Sequence, residues 1–199
     1  MRINKCTFTG VDTKVNKSDI ELISSVYPFV EWGYLYSISR AGTPGRYMAA
    51  NRIEDHLKTL TKSVNTSLHI CGKAVSDFIS SVYGYHDTLI EAIKDRGGRV
   101  QLNFNCSKIE VNLNLLAEKI KMYNTVTFII QENKGNAGVI NYLLQVGVTN
   151  IAALFDSSGG RGVLGKWRAP LGIPCGYAGG LGPENIEKEL ISINRVVGN

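Results

Sequence analysis

The run 155-FDSSGGRGVLGKW-167 places an acid, Asp156, directly before Gly159, Gly160, Arg161 and Gly162. An acid at the end of an apolar run can hold or donate a proton. Glycines beside it let a ligand approach backbone N–H groups closely, and an arginine adds a bidentate contact to phosphate or carboxylate. The alternative is structural, with Asp156 capping its own loop. Further on, 174-PCGYAGGLGPENIEKEL-190 carries Gly176, Gly179, Gly180, Leu181 and Gly182, then Pro183 and Glu184 at a helix start. The N–H groups of such a turn can hold an anion, helped by the helix dipole. The alternative is a turn that needs glycine only to be tight.

Other residues share a face by spacing. His69 and Cys71 stand two apart on one apparent strand, about 7 Å from each other along it. A thiolate–imidazolium pair is the chemistry they suggest. Glu31, Gln101, Asn103, Asn105 and Gln131 alternate with apolar neighbours and join them on a polar face. Buried polar groups need partners, so this row implies a polar ligand, ordered water or mutual hydrogen bonds. Arg40 and Arg46 lie in the Gly/Pro-rich 40-RAGTPGRY-47. They are placed either to clamp an anion from above or to lie in a solvated loop.

These residues need strands to present them. Apolar or alternating runs at 5–11, 29–36, 67–71, 99–105, 125–131, 150–155 and 173–178 read as strands. Periodicity predicts helices over 17–26, 52–61, 73–83, 86–96, 110–122, 137–146 and 184–193. Strands alternating with helices, and no hairpins, imply βαβ units on a parallel sheet. A doubly wound sheet would show continuous apolar strands. Here Val100, Leu102 and Phe104 interleave with Gln101, Asn103 and Asn105, and Leu68 and Ile70 with His69 and Cys71. One face suits a layer of helices and the other a barrel lumen, with a site at the C-terminal strand ends. The expectation is a single α/β domain over 1–199, a TIM (β/α)8-type barrel. It is incomplete, because seven strand–helix units are clear and 194–199 are too few to add an eighth. Its open barrel edges invite pairing, and so a homo-oligomer.

Composition narrows the partners. With 22 Lys and Arg against 17 Asp and Glu, the net charge is +5, which favours anionic ligands. The basic residues are dispersed and no nucleic-acid motif is present, so a phosphorylated small molecule is the expected partner and nucleic acid is not. Cys6, Cys71, Cys106 and Cys175 form no CxxC pair and only three His accompany them. Neither a zinc site nor a disulfide framework is expected, and neither is a cofactor. Reduced thiols, no long apolar run and no signal peptide point to a cytoplasmic protein with no membrane contact.

The segments LFDSSGGRG (154–162) and YAGGLGPENI (177–186), in this order, resemble phosphoribosylanthranilate isomerase, a (β/α)8 enzyme. The closest likeness is to a divergent group of isomerase-like barrels. FTGVD (8–12), YPFVEWGYLYS (27–37), HICG (69–72) and GYAGGLGP (176–183) share its look, spanning most of the chain. The resemblance implies that Asp156 is the general acid of an Amadori rearrangement. It makes Gly159, Gly160 and Gly162 the glycine loop, and Gly179 and Gly180 the phosphate loop of the seventh strand. The family's general base is a Cys within Lys-Ile-Cys-Gly, where this chain has Thr9 in Thr-Phe-Thr-Gly. Cys6 lies three residues earlier and so faces the other way. A replacement base would come from Cys71, His69 or Glu31. The family's second phosphate loop follows an eighth strand that this chain lacks. Two expectations stand: a phosphosugar or nucleotide-like metabolite bound with acid–base turnover, or one bound and sequestered without it.

Overall fold

The computed structural model describes residues 2–198, so the first and last residues of the expected domain lie outside it. Seven strands form one sheet in chain order: β1 (Cys6–Thr9), β2 (Val30–Ser37), β3 (Asn65–Cys71), β4 (Arg99–Asn103), β5 (Thr127–Glu132), β6 (Ile151–Phe155) and β7 (Cys175–Tyr177). Each strand pairs in parallel with its sequence neighbour. Among the described residues β1 and β7 do not pair with each other. The fold is an α/β half-barrel, an incomplete TIM-like barrel.

The helices are α1 (Lys17–Val26), α2 (Ala50–Thr59), α3 (Lys73–Ile79), α4 (Tyr85–Lys94), α5 (Leu113–Met122), α6 (Val139–Gln145) and α7 (Ile186–Val197). Both α3 and α4 follow β3, whereas no helix joins β6 to β7. α5 starts later than the periodicity predicts because the Asn112 side chain accepts from the N–H groups of Asn114 and Leu115, capping the helix there. α7 runs on through residues 194–197, so the segment too short for a strand is helix. β1 and β7 are shorter than their apolar runs. As edge strands, each has one hydrogen-bonding neighbour to extend it.

The interleaved sequence pattern is the two-sided sheet. Leu68, Ile70, Val100 and Leu102 point outward and are fully buried against the helices, beside Phe78, Ile90 and Phe128. The alternate residues Ser67, His69, Gln101 and Gln131 turn into the lumen and are buried too. Outward-facing Trp32 donates its indole N–H to Ser24 of α1 at 2.9 Å, which seats that helix on β2. Among the described residues no helix is long and apolar enough to cross a membrane.

Candidate functional site

Glu31 lies at the N-terminal end of β2, opposite the barrel face where the loops gather. Strand register aligns it with Thr7 and Asn65, and Arg99 of β4, which pairs with Ser67 two residues further along β3, reaches it. Arg99 donates to both carboxylate oxygens, at 2.9 and 2.7 Å, and Thr7 Oγ1 donates at 2.8 Å. Lys5 Nζ is 3.7 Å away. Burial alone would raise the carboxyl pKa, but the Arg99 hydrogen bonds and charge, with Thr7 and Lys5, hold it below the usual range. Glu31 is thus an ionised buried plug at the lumen floor, apart from the loop face and from Asp156.

His69 sits one level higher. It is 4% exposed, and Nε2 lies 3.2 Å from Ser67 Oγ. Burial drives its pKa down to about 4, with Glu31 opposing and Arg99 and Arg46 assisting, so the ring is neutral near pH 7. Gly33 makes room for it, since a Cβ there would stand 3.0 Å from Nε2. Cys71 shares the face, but its sulfur approaches the His69 carbonyl, not the ring, at 3.7 Å. Burial pushes the thiol pKa up, although Asn103, Arg40, Arg46 and Tyr47 oppose it. The structure therefore contains no thiolate–imidazolium pair at these residues.

Above them the mouth becomes cationic. Gln101 donates to Asn103 Oδ1 at 2.6 Å, and Asn103 Nδ2 donates to Cys71 Sγ at 3.1 Å. Arg46 folds over the end of β1, its Nε 2.8 Å from where a Cβ on Gly10 would be. Arg40 lies over the Tyr47 ring at 5.4 Å. Neither arginine has a carboxylate partner among the described residues. Asn105 does not join them. Its Oδ1 accepts from the N–H and hydroxyl of Ser107, closing the turn after β4.

The two glycine loops pack on each other at the ends of β6 and β7. Asp156 is 4% exposed and fully engaged. Ser158 donates its N–H at 3.0 Å and its hydroxyl at 2.6 Å, and Gly160 donates its N–H at 2.7 Å. The carboxylate thus organises its own loop, the capping arrangement. Arg161 Nε is bonded to the Ser158 carbonyl at 2.8 Å, which leaves its terminal nitrogens free of protein partners among the described residues. Gly159, Gly160 and Gly162 have positive φ and open space where a Cβ would be.

Gly179, at φ 103, is confined on one side, since a Cβ would stand 3.0 Å from the Val163 carbonyl and 3.1 Å from Asp156 Oδ1. Gly180 is confined by the same segment, a Cβ there standing 2.5 Å from the Leu164 nitrogen, and the N–H groups of Gly179, Gly180 and half-buried Leu181 make no hydrogen bond among the described residues. The next N–H, of Gly182, is taken by Asn185 Oδ1 at 2.9 Å, while Asn185 Nδ2 holds the Gly180 carbonyl at 2.7 Å. Asn185 therefore fixes a loop with three free donors.

Sequence reasoning missed Asn185, Tyr47 and Asn136. Asn185 stands three after Gly182, the spacing at which a side chain can reach back to the first N–H of a turn, and it makes no side-chain cap bond to α7. Asn136 donates to the carbonyls of Phe104 and Gln131 and accepts from the Cys106 N–H. It ties the ends of β4 and β5 and has no legible motif. Among the described residues no three His, Cys, Asp or Glu side chains converge as a metal ion needs.

What the fold and loops define is an incomplete (β/α) barrel with a cationic, donor-rich mouth. No protein-family model matches the chain, and no curated protein matches it. The isomerase likeness thus rests on the quoted segments.

Proposed function

We propose that the half-barrel binds a phosphorylated small molecule, a phosphosugar or nucleotide-like metabolite, at the C-terminal ends of its strands. The observation that carries this is the 179–181 loop, whose three N–H groups are unpartnered in a turn held by Asn185. Oriented backbone donors of this kind suit a phosphate. Arg161 supplies positive charge from the loop after β6, and Arg40 and Arg46 supply it from the loop after β2 on the same rim, where the Gln101–Asn103–Cys71 ladder offers polar contacts. The Asp156 carboxylate beside Gly179 would repel an anion; its three donors absorb part of that charge.

Binding without turnover is the better-supported form. An acid–base isomerisation needs a proton acceptor near Asp156. Glu31 lies at the other end of the barrel, His69 is buried, and Cys71 is held as a thiol. Isothermal titration with inorganic phosphate, ribose 5-phosphate and a nucleoside monophosphate tests the reading. Binding should weaken by about tenfold in Arg161→Gln, the scale of a lost charge-assisted contact. If none of the three compounds binds, the proposal fails. If one is turned over and Asp156→Asn abolishes turnover while sparing affinity, the catalytic form replaces it.

A further inference from the structure

The edge at β1 is unguarded. Its residues Cys6–Thr9 hold no charge and no proline. The nearest lysine, Lys5, is turned inward to Asn65 and Glu31. Natural edge strands are blunted by such residues, and this one is not. The β7 edge differs, since it has only three residues and is opened by Pro174.

The backbone of β1 is also set for a partner. The N–H groups of Cys6 and Gly10 point at β2, bonding Phe29 and Gly33 carbonyls at 2.9 and 2.8 Å. Backbone groups alternate sides along a strand, so those of Thr7 and Thr9 face the open edge. Beside them lies an apolar strip. Glu21 bonds Thr61 after α2, which fixes that flank of α1. Val26 lies about 140° further round the helix, on the flank away from α2, next to the exposed Asp19 at about 160°. Val26 is 60% exposed, and Phe8, Tyr27 and Phe29 are 52%, 50% and 44% exposed. Tyr27 and Phe29 touch edge to face, and Phe8 lies against Trp32.

We propose that this edge is the contact surface for a second copy of the chain, paired β1 to β1 antiparallel about a two-fold axis. A two-fold copy offers the same unguarded strand in the antiparallel sense, so both patches are covered at once. Among the registers that side-chain parity allows, one uses the outward groups of both Thr7 and Thr9 in each copy. Thr7 faces Thr9 of the other copy, each pair exchanging both hydrogen bonds, and Phe8 meets its own counterpart on the axis. Four large side chains about half exposed amount to on the order of 400 Å² per copy, roughly 800 Å² for the pair besides the β1 edge itself, the scale of a weak, reversible dimer. The other edge cannot serve equally, because a three-residue strand after proline offers little ladder.

Sedimentation equilibrium of the whole chain tests this without any ligand. The parent should sediment at twice the 21.8 kDa chain mass. Phe8→Lys and Val26→Glu should each raise the dissociation constant by more than about tenfold, since a buried unpaired charge opposes the contact. Both sites are exposed, so a parent-like far-UV circular dichroism spectrum will show that the variants are folded, while loss of the dimer lowers the melt. Ile191→Lys on α7, equally exposed, should leave the dimer intact. In a Cys6→Ser background, Phe8→Cys should form an interchain disulfide on mild oxidation, because facing non-bonded residues stand about 4.5 Å apart at Cα. A parent that stays monomeric at about 100 µM, well above the dissociation constant such an area supports, overturns the proposal. So does a dimer lost in Ile191→Lys but kept in Phe8→Lys, or a failure of Phe8→Cys to cross-link.

Discussion

Glu31 and Asp156 are both buried carboxylates, and they are held by different means. Glu31 faces a guanidinium and Asp156 faces neutral donors of its own loop. Glu31→Gln would leave Arg99 without its charge partner, at a cost of about 3 kcal/mol, read from the denaturant midpoint. Because its folded pKa is depressed, Glu31 stabilises fully above its unfolded value and loses that contribution as pH falls through the folded one. His69 has the same sign for a different reason. Its unfolded pKa is near 6.5 and its folded pKa about 4. The unfolded chain therefore takes up the proton first, and stability falls as pH drops through that window. The loss is on the order of 3 kcal/mol by pH 4. Melts in that range should show a shallower pH slope in His69→Gln. A slope unchanged by the substitution would place the acid sensitivity elsewhere.

At the scale of elements, each helix is placed by a few identifiable contacts. Asn112→Ala removes the cap of α5 and should lower stability by about 1 kcal/mol, measured by thermal melt. Much of this layer was legible in the chain. The interleaving of Gln101 and Asn103 with Val100 and Leu102 told which side of β4 meets helices, because period two on a parallel strand has few other causes. The site was legible only in part. An acid before glycines reads the same whether it serves a substrate or its own loop, and the Ser158 and Gly160 hydrogen bonds decide that only in three dimensions. His69 and Cys71 were rightly placed on one strand face, yet spacing alone does not show which atoms face each other. The span of polar residues likewise hid a division by height, with Glu31 on the floor and Asn103 near the mouth.

For the whole molecule, the curled sheet has a firm centre and weak margins. β3, β4 and β5 are flanked on both sides, whereas β7 has three residues and α7 contributes Ile193 as its fully buried side chain. Amide exchange should therefore be faster in β7 and α7 than in β3–β5, by opening at a lower free energy. Uniform protection across the sheet would contradict this. The strand order also bears on how the chain comes together. A closed barrel cannot finish until its last strand finds its first, across the whole length of the polypeptide. Here, among the described residues, every strand pairs with the one made just before it, so none of the observed pairings needs such a long loop to close. The sheet can grow in step with synthesis, from the ribosome outward, one strand at a time.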